Sequence, residues 1–428
     1  MQEVMTVQAE RIARETRCSQ RLSTLGGAGL IQTLVLGYLK SRLATCEELA
    51  QTAATLGYPV SPQAIDERCT PQTAECLRRL VEEAVQKAIT ADKCMSPLLD
   101  RFQCVCLQDS STVGLPDALQ EHWRGCGTWA DHGGKAALKI QVRFDLGRGA
   151  VRLRLEQGRD SDHRTPLQTE EIKPGSLHFR DLGYFDLDVL QEIAWAKAYF
   201  ISRVQASTAL FDPDGQRIEL AKFLGKCKIK RLARPILLGV GHRLPCRLVT
   251  VRVPPEVARR RRQKVLEKAR KKQYTPSPEK LALCAWNIYV TNAPEALLSL
   301  DEVLVLARMR WQIELMFKLW KSHGGLGATR SEKPWRILCE TFAKLLAQLI
   351  RHWILIQVSW NEPRRSLRKA AGAVRAFAAC LAASLNDLDA LVAVLDSITR
   401  ALTRAGRVEK RRKHPSAYQL LADPTACG

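Results

Sequence analysis

Apolar residues over roughly the first 98 positions recur every three or four residues, the spacing of helices that bury one face. LVLGYLKSRLATCEELAQTAATLGYPV keeps this spacing up to a break at Gly57 and Pro59. Ser61 and Pro62 then open a second stretch, Ser61 as a cap and Pro62 at the first helical position. Two helices parted by a turn have the outline of a helix-turn-helix.

The period changes between about 102 and 205. FQCVCLQ reads as a strand that ends at Asp109. Beyond Gly133-Gly134, ALKIQVRFDL alternates apolar and polar positions, Asp145–Gly149 makes a turn, and AVRLRLEQ alternates again, which predicts a hairpin. SLHFRD is a further strand ending at Asp181. A helix over roughly 187–196 follows, with Asp186 as its cap, and AYFISRV returns to strand. PILLGV, CRLVTVRV and LCAWNIYVTN read as strands, and PEVARRRRQKVLEKARKKQYTPSPEK as a basic helix or arm. One long helix then starts at Ser299, which has capping-box spacing with Glu302, and stops at Gly324-Gly325. From about 332 to 405 the pattern is helical again. These elements predict an α/β fold, a mixed sheet with helical cover and helical regions at both ends.

Charge alters this picture more than overall composition does. The 428-residue chain holds 66 Lys and Arg against 44 Asp and Glu, a formal charge of +22, which points to a polyanionic partner. Nucleic acid leads. A membrane surface is the weaker choice, because no long uncharged apolar run is present. The segment MQEVMTVQAERIARE lacks the layout of a secretory signal. An apolar fraction of 46% excludes wholesale disorder. The 14 cysteines form no paired CxxC clusters, which argues against a zinc ribbon and for free thiols in a reducing compartment. Basic residues concentrate in 221–280, where 19 Lys or Arg meet 3 acidic residues.

Candidate chemistry gathers on the long helix. Arg310, Glu314 and Lys321 lie within about 40° of one another on a helical wheel. Met309, Ile313, Met316 and Trp320 form an adjacent apolar stripe, with Phe317 at its border, that would seat the helix on a core. A carboxylate between two cations is placed to hold a hard metal ion while the cations meet phosphate. From periodicity alone, the row with Lys318 is more simply a salt-bridged solvent face. Asp109 and Asp181 each follow an apolar strand, and strand-end carboxylates joined by one from a helix can converge on Mg²⁺. Taken singly, each reads as well as a turn residue, with Gly114, Pro116 and Gly183 nearby. Trp286 reads as core, Lys139 as a minor phosphate contact, and His132 and His323 as surface residues.

YVTNAPEALLSLDEVLVLARMRWQIELMFKLWKSHGGL resembles the signature region of bacterial insertion-sequence transposases with an Asp-Asp-Glu triad. The resemblance is to the group with a Tyr-Arg-Glu-Lys pattern, spaced by two, three and six intervening residues; Arg310, Glu314 and Lys321 keep that spacing, and Ala307 stands where tyrosine is expected. LQDSSTVGLP is similar to the first-aspartate segment and FRDLGYFDLDVLQEIAWAKAYFISRV to the second, giving Asp109 and Asp181. Asp186, Asp188, Asp160 and Asp162 are competing positions. Residues 205–295 are similar to the strand-rich insertion of that family, and the clear motifs span about 100–330.

The resemblance implies a ribonuclease-H-like catalytic core with a strand-rich insertion. Its parts would be a helical DNA-end-binding domain (1–98), the first part of the core (99–205), the basic insertion (206–295), the core helix with the glutamate (296–330) and a helical C-terminal region with a basic tail (331–428). It implies that Asp109, Asp181 and Glu314 are catalytic and ligate Mg²⁺, with Mn²⁺ as a substitute. DNA phosphates would meet Arg310, Lys318 and Lys321, and also Arg259, Arg260, Arg261, Arg262, Lys264, Lys268, Arg270, Lys271 and Lys272. The implied partners are double-stranded DNA, as terminal inverted repeats and as target, and a second copy of the chain in a synaptic homodimer. The implied location is the cytoplasm, on the bacterial chromosome. Two narrower alternatives are a metal-dependent nuclease without strand transfer and an inactive DNA-binding relic, the latter favoured by Ala307.

Overall fold

The N-terminal helices are shorter and more numerous than a two-helix outline allows. After Val4–Gln8 and Ala9–Glu15 come Gly27–Lys40, Cys46–Thr55, Pro62–Glu67 and Pro71–Gln86. Thr45 and Glu48 form a reciprocal capping box, Ser61 caps ahead of Pro62, and Thr70 caps ahead of Pro71. Each cap supplies an acceptor to backbone N–H groups that a helix start otherwise leaves unpaired.

The computed structural model describes residues 1–19, 24–87, 90, 96–127, 134–170, 172–360, 365–408 and 417–422. His132, Gly133 and most of the basic tail lie outside the described residues. The chain forms two units. One comprises Met1–Met95, Asp109–Ser161 and Trp311–Tyr418; the other comprises Ser96–Gln108, Asp162–Arg310 and Gln419–Gly428.

In the first unit, helix Pro334–Ser359 packs on Gly27–Lys40, Pro71–Gln86 and Leu388–Ala405. Phe342, Leu345, Leu346 and Ile350 are among its buried residues. Strand β1 (Val105–Leu115) enters this unit at Asp109 and is followed by β2 (Ala136–Asp145) and β3 (Val151–Gln157). Strands β2 and β3 form the expected antiparallel hairpin. The alternation in β2 does not mark a solvent face: Lys139, Gln141 and Arg143 are 8%, 0% and 6% exposed. Lys139 Nζ donates to the carbonyl of Asp160, so it is committed within the protein. A period of two shows that a strand has two chemically distinct faces; it does not show that one of them is wet.

The β2–β3 turn is fixed at both ends. Asp145 Oδ1 accepts from the N–H groups of Gly147 at 2.9 Å and Arg148 at 3.3 Å. Gly149 has φ 75°, and a Cβ there would lie 2.7 Å from Trp360 Cε2. Trp360 Nε1 donates to Gly147 O at 3.1 Å, and His352 Nε2 donates to Gly149 O at 2.7 Å.

The second unit holds the first residues of β1 with β4 (Leu177–Arg180), β5 (Tyr199–Arg203), β6 (Leu210–Phe211), β7 (Arg217–Ile218), β8 (Arg231–Leu238), β9 (Leu244–Arg252) and β10 (Trp286–Thr291). Their order is β1-β4-β5-β10-β9-β8-β6-β7. Pairing is parallel for β1–β4 and β4–β5 and antiparallel for the rest. Helix Leu187–Trp195, capped by Asp186, links β4 to β5. Leu190 and Ile193 of this helix pack with Phe200, Leu238, Leu248 and Val290. The result is a mixed α/β fold, a strand-rich sheet flanked by helices.

The long helix departs from its expected form. It starts at Ser299 with the capping box in place, but runs as Leu300–Met309 and Trp311–Lys318, interrupted at Arg310, and ends in a π turn, Leu319–His323. Met309, Ile313, Met316 and Trp320 are all buried, as the stripe predicts. A π turn is wider than a regular one, so the wheel position read for Lys321 from a uniform helix does not carry over.

His352 gives the fold a pH dependence. Burial holds its pKa at about 4, below the ordinary 6.5. The unfolded chain therefore takes up this proton first. The contribution of neutral His352 to stability is complete above the ordinary value and is lost as pH falls through the folded value. Urea unfolding between about pH 7 and about pH 4 should show wild type losing up to about 3 kcal/mol more than His352→Gln.

Candidate active site and nucleic-acid interface

Asp181 is the first residue beyond β4 and precedes the short turn Leu182–Tyr184. Its carboxylate does not cap that turn. Oδ1 is buried and has no hydrogen-bond partner among the described residues. Oδ2 lies 3.9 Å from Arg310 Nη1, at the outer limit of an ion pair. A buried carboxylate oxygen without a donor is costly, and an oxygen of this kind suits a hard cation.

Two of the competing aspartates in this unit, Asp186 and Asp188, are committed elsewhere. Asp186 Oδ1 accepts from Asp188 N at 2.9 Å and Val189 N at 3.3 Å, which is an N-cap. Asp188 Oδ1 pairs with His242 Nε2 at 2.7 Å. In the first unit, Asp160 Oδ2 accepts from Gln157 N at 2.9 Å and closes a turn.

Asp109 lies inside β1, not beyond its end, because the strand continues through Ser110–Leu115. Asp109 Oδ1 accepts from Ser110 N at 2.9 Å. The last paired rung of β1 with β4 is Gln108↔Arg180. Asp109 is the next residue of β1, and Asp181 is the first residue after β4.

Glu314 is exposed on Trp311–Lys318, as is Lys318. Lys321 Nζ donates to Thr112 O at 2.9 Å, which ties the π turn to β1 three residues past Asp109. Desolvation lowers the pKa of Lys321. The loop after this turn is held from beneath by an ion pair that sequence reading did not single out. Lys344 and Glu340, with side chains 1% and 7% exposed, pair at 2.6 Å. Lys344 also donates to Ala328 O at 2.6 Å and Gly325 O at 3.3 Å, and Thr329 Oγ1 donates to Glu340 Oε2 at 2.9 Å. The available signal was a charged i,i+4 pair between the apolar runs of its helix.

The basic helix is Pro255–Lys271, seated through buried Ala258 and Ala269. Its cations divide into two groups. Arg261 turns onto β10, donating to Asn287 Oδ1 at 2.8 Å and Trp286 O at 3.2 Å, and desolvation lowers its pKa. Arg259, Arg260, Arg262, Lys264, Lys268, Arg270, Lys271 and Lys272 are exposed. Arg262 Nε also donates to Leu281 O at 3.1 Å. Trp286 is buried, as its place in a strand predicts.

Among the described residues, no group of three or more His, Cys, Asp or Glu side chains is gathered so as to hold a metal ion, and no helix is long and apolar enough to cross a membrane. Residues 100–350 match the family model described as the transposase DDE domain. The chain is 24% identical over 444 residues to the transposase for insertion sequence element IS231F of Bacillus thuringiensis subsp. israelensis, covering 96% of this chain and 91% of that protein. It is 24% identical over 444 residues to the transposase for IS1151 of Clostridium perfringens, covering 96% and 92%. It is 26% identical over 322 residues to the transposase for IS231C of Bacillus thuringiensis subsp. berliner, covering 70% and 67%.

Removing one partner of the buried pair should loosen the loop after the π turn. Glu340→Gln leaves Lys344 as an uncompensated buried charge, and denaturant unfolding should show a loss of about 3–5 kcal/mol. Amide exchange should rise most at Gly325–Ala328, whose carbonyls Lys344 holds.

Proposed function

The chain belongs to the transposase DDE-domain family, and from that premise we propose that it cuts the ends of its own element and joins them to target DNA. It binds terminal inverted repeats, water attacks a phosphodiester to free a 3′-hydroxyl, and that hydroxyl attacks target DNA in a transesterification. Membership supports polynucleotidyl transfer as the kind of activity, and the family generally uses a divalent metal.

The observation that carries the reading is Asp181. Its carboxylate offers a buried oxygen with no hydrogen-bond donor among the described residues, and it stands one residue past the rung that pairs β1 with β4. Hard oxygen donors suit Mg²⁺ or Mn²⁺, and Asp109, Asp181 and Glu314 are the residues that would hold them. Bound there, a divalent cation supplies Lewis acidity to a phosphodiester that is already anionic. Arg310 and Lys321 hold the phosphate, the first as a planar fork and the second as a point charge. Lys318 and the exposed cations of Pro255–Lys271 position the duplex through its backbone and do not read its sequence.

The parallel strands β1, β4 and β5, with the β2–β3 hairpin, support a ribonuclease-H-like core. The spacing of Arg310, Glu314 and Lys321 supports the Tyr-Arg-Glu-Lys group. Ala307 leaves that group's tyrosine hydroxyl missing, so phosphate binding here rests on the cations. Pairing of two element ends calls for a homodimer at work.

The test uses purified protein, labelled element-end duplex and Mg²⁺. Wild type should yield nicked and joined products. Glu314→Gln should bind the ends normally and lose both products by more than about 100-fold. Normal product from Glu314→Gln would overturn the assignment of the glutamate. Nicking without joining would make the protein a nuclease, and binding without nicking by wild type would make it a relic.

A further inference from the structure

The first unit carries a second set of cations that no motif in the chain assigns. Helix Leu367–Ala376 packs against Pro334–Ser359 and against the π turn Leu319–His323. A narrow cleft lies there, lined among others by Gln312, Gln348, Arg351, Trp360, Leu367 and Ala371. Arg351 is 6% exposed and lines this cleft without a hydrogen bond or ion pair to any described residue.

The cations nearby are exposed. Arg368 and Arg375 are seven residues apart on one helix, within about 20° of each other around its axis. Arg42 Nη1 donates to Ser322 O at 2.6 Å, which brings it to the π turn that ends in His323. None of Arg42, Arg368 and Arg375 is ion-paired with a described residue.

The electrostatics agree with the geometry. His323 has its pKa lowered by desolvation and then by Arg351, Arg368, Arg375 and Arg42. Arg351 is pushed down to about 10 by burial and then by Arg375. No carboxylate contributes to either shift. Four cations from three segments thus repel one another, and one of them is buried, an arrangement that costs stability until an anion arrives.

We infer that this cluster is a second DNA-backbone surface, in which Arg368, Arg375 and Arg42 meet duplex phosphates at the rim and Arg351 supplies positive potential from the floor of the cleft. The inference rests on the DNA-joining reading above and adds a binding surface to it. Duplex DNA is the occupant whose chemistry fits, because its repeating phosphates meet several spaced cations at once and release their counterions.

The experiment uses the full chain, a fluorescently labelled duplex of arbitrary sequence and no divalent metal, with anisotropy followed across a salt series. Arg368→Gln/Arg375→Gln should weaken binding similarly for every duplex sequence. It should also flatten the plot of log K against log salt by about 1.8, or about 0.9 per lost contact. Arg351→Met should bind duplex DNA more weakly yet unfold at the same or higher denaturant concentration than wild type, because it removes a buried charge without a partner. An unchanged slope in the double variant, or unchanged DNA binding by Arg351→Met, overturns the inference. Lys271→Gln/Lys272→Gln separates the two readings. If that variant flattens the slope and the cluster variant does not, DNA binding stands and this surface alone fails. If wild type shows no salt-dependent binding, both fall.

Discussion

Parallel pairing of Val105–Gln108 with Leu177–Arg180 is the constraint on which the candidate chemistry depends. Val105, Leu107, Leu177 and Phe179 are buried on these strands, and a slip of one residue would turn them to the opposite face. The register is therefore held by the core and not by the acidic residues themselves. Beyond its last rung the two chains behave differently. One leaves the sheet at Asp181 in a tight turn, and the other continues through Asp109 as strand. The helix Leu187–Trp195 that carries the chain from β4 to β5 keeps that pairing parallel.

Features set by local chemistry were legible in the sequence. The Asp145–Gly149 turn, the Asp186 cap and the Ser299–Glu302 capping box each depend on a few neighbouring residues. So does the Thr45–Glu48 box. Features set at a distance were not legible. The extension of β1 past Asp109 depends on its place beside β2, and the burial of the polar face of β2 depends on what covers it. The interruption at Arg310 and the π turn change the phase of a helix whose apolar stripe still reads correctly. The stripe reports which residues are buried and says little about the backbone between them. For the candidate site, the acidic positions were found by resemblance. What distinguishes Asp181 from Asp186 and Asp188 is the absence or presence of a hydrogen-bond partner, which no spacing reveals.

Net charge is similarly a coarse guide. The excess of Lys and Arg points to a polyanion, yet individual cations serve different ends. Arg261 anchors the basic helix to β10, Lys344 holds the loop after the π turn, and Lys139 closes on the carbonyl of Asp160. Each spends its donors inside the protein. The exposed face of Pro255–Lys271 keeps its charge toward solvent, where it can exchange counterions for phosphates. Counting charges along the chain cannot separate these groups, whereas burial and hydrogen bonding do.

The most direct test of the central claim is anomalous diffraction from crystals of the protein grown with Mn²⁺ and duplex DNA. The proposed site predicts manganese density at Asp181 Oδ1, shared with Asp109 and Glu314. Manganese bound elsewhere, with Asp181 Oδ1 left dry and unligated, would contradict it.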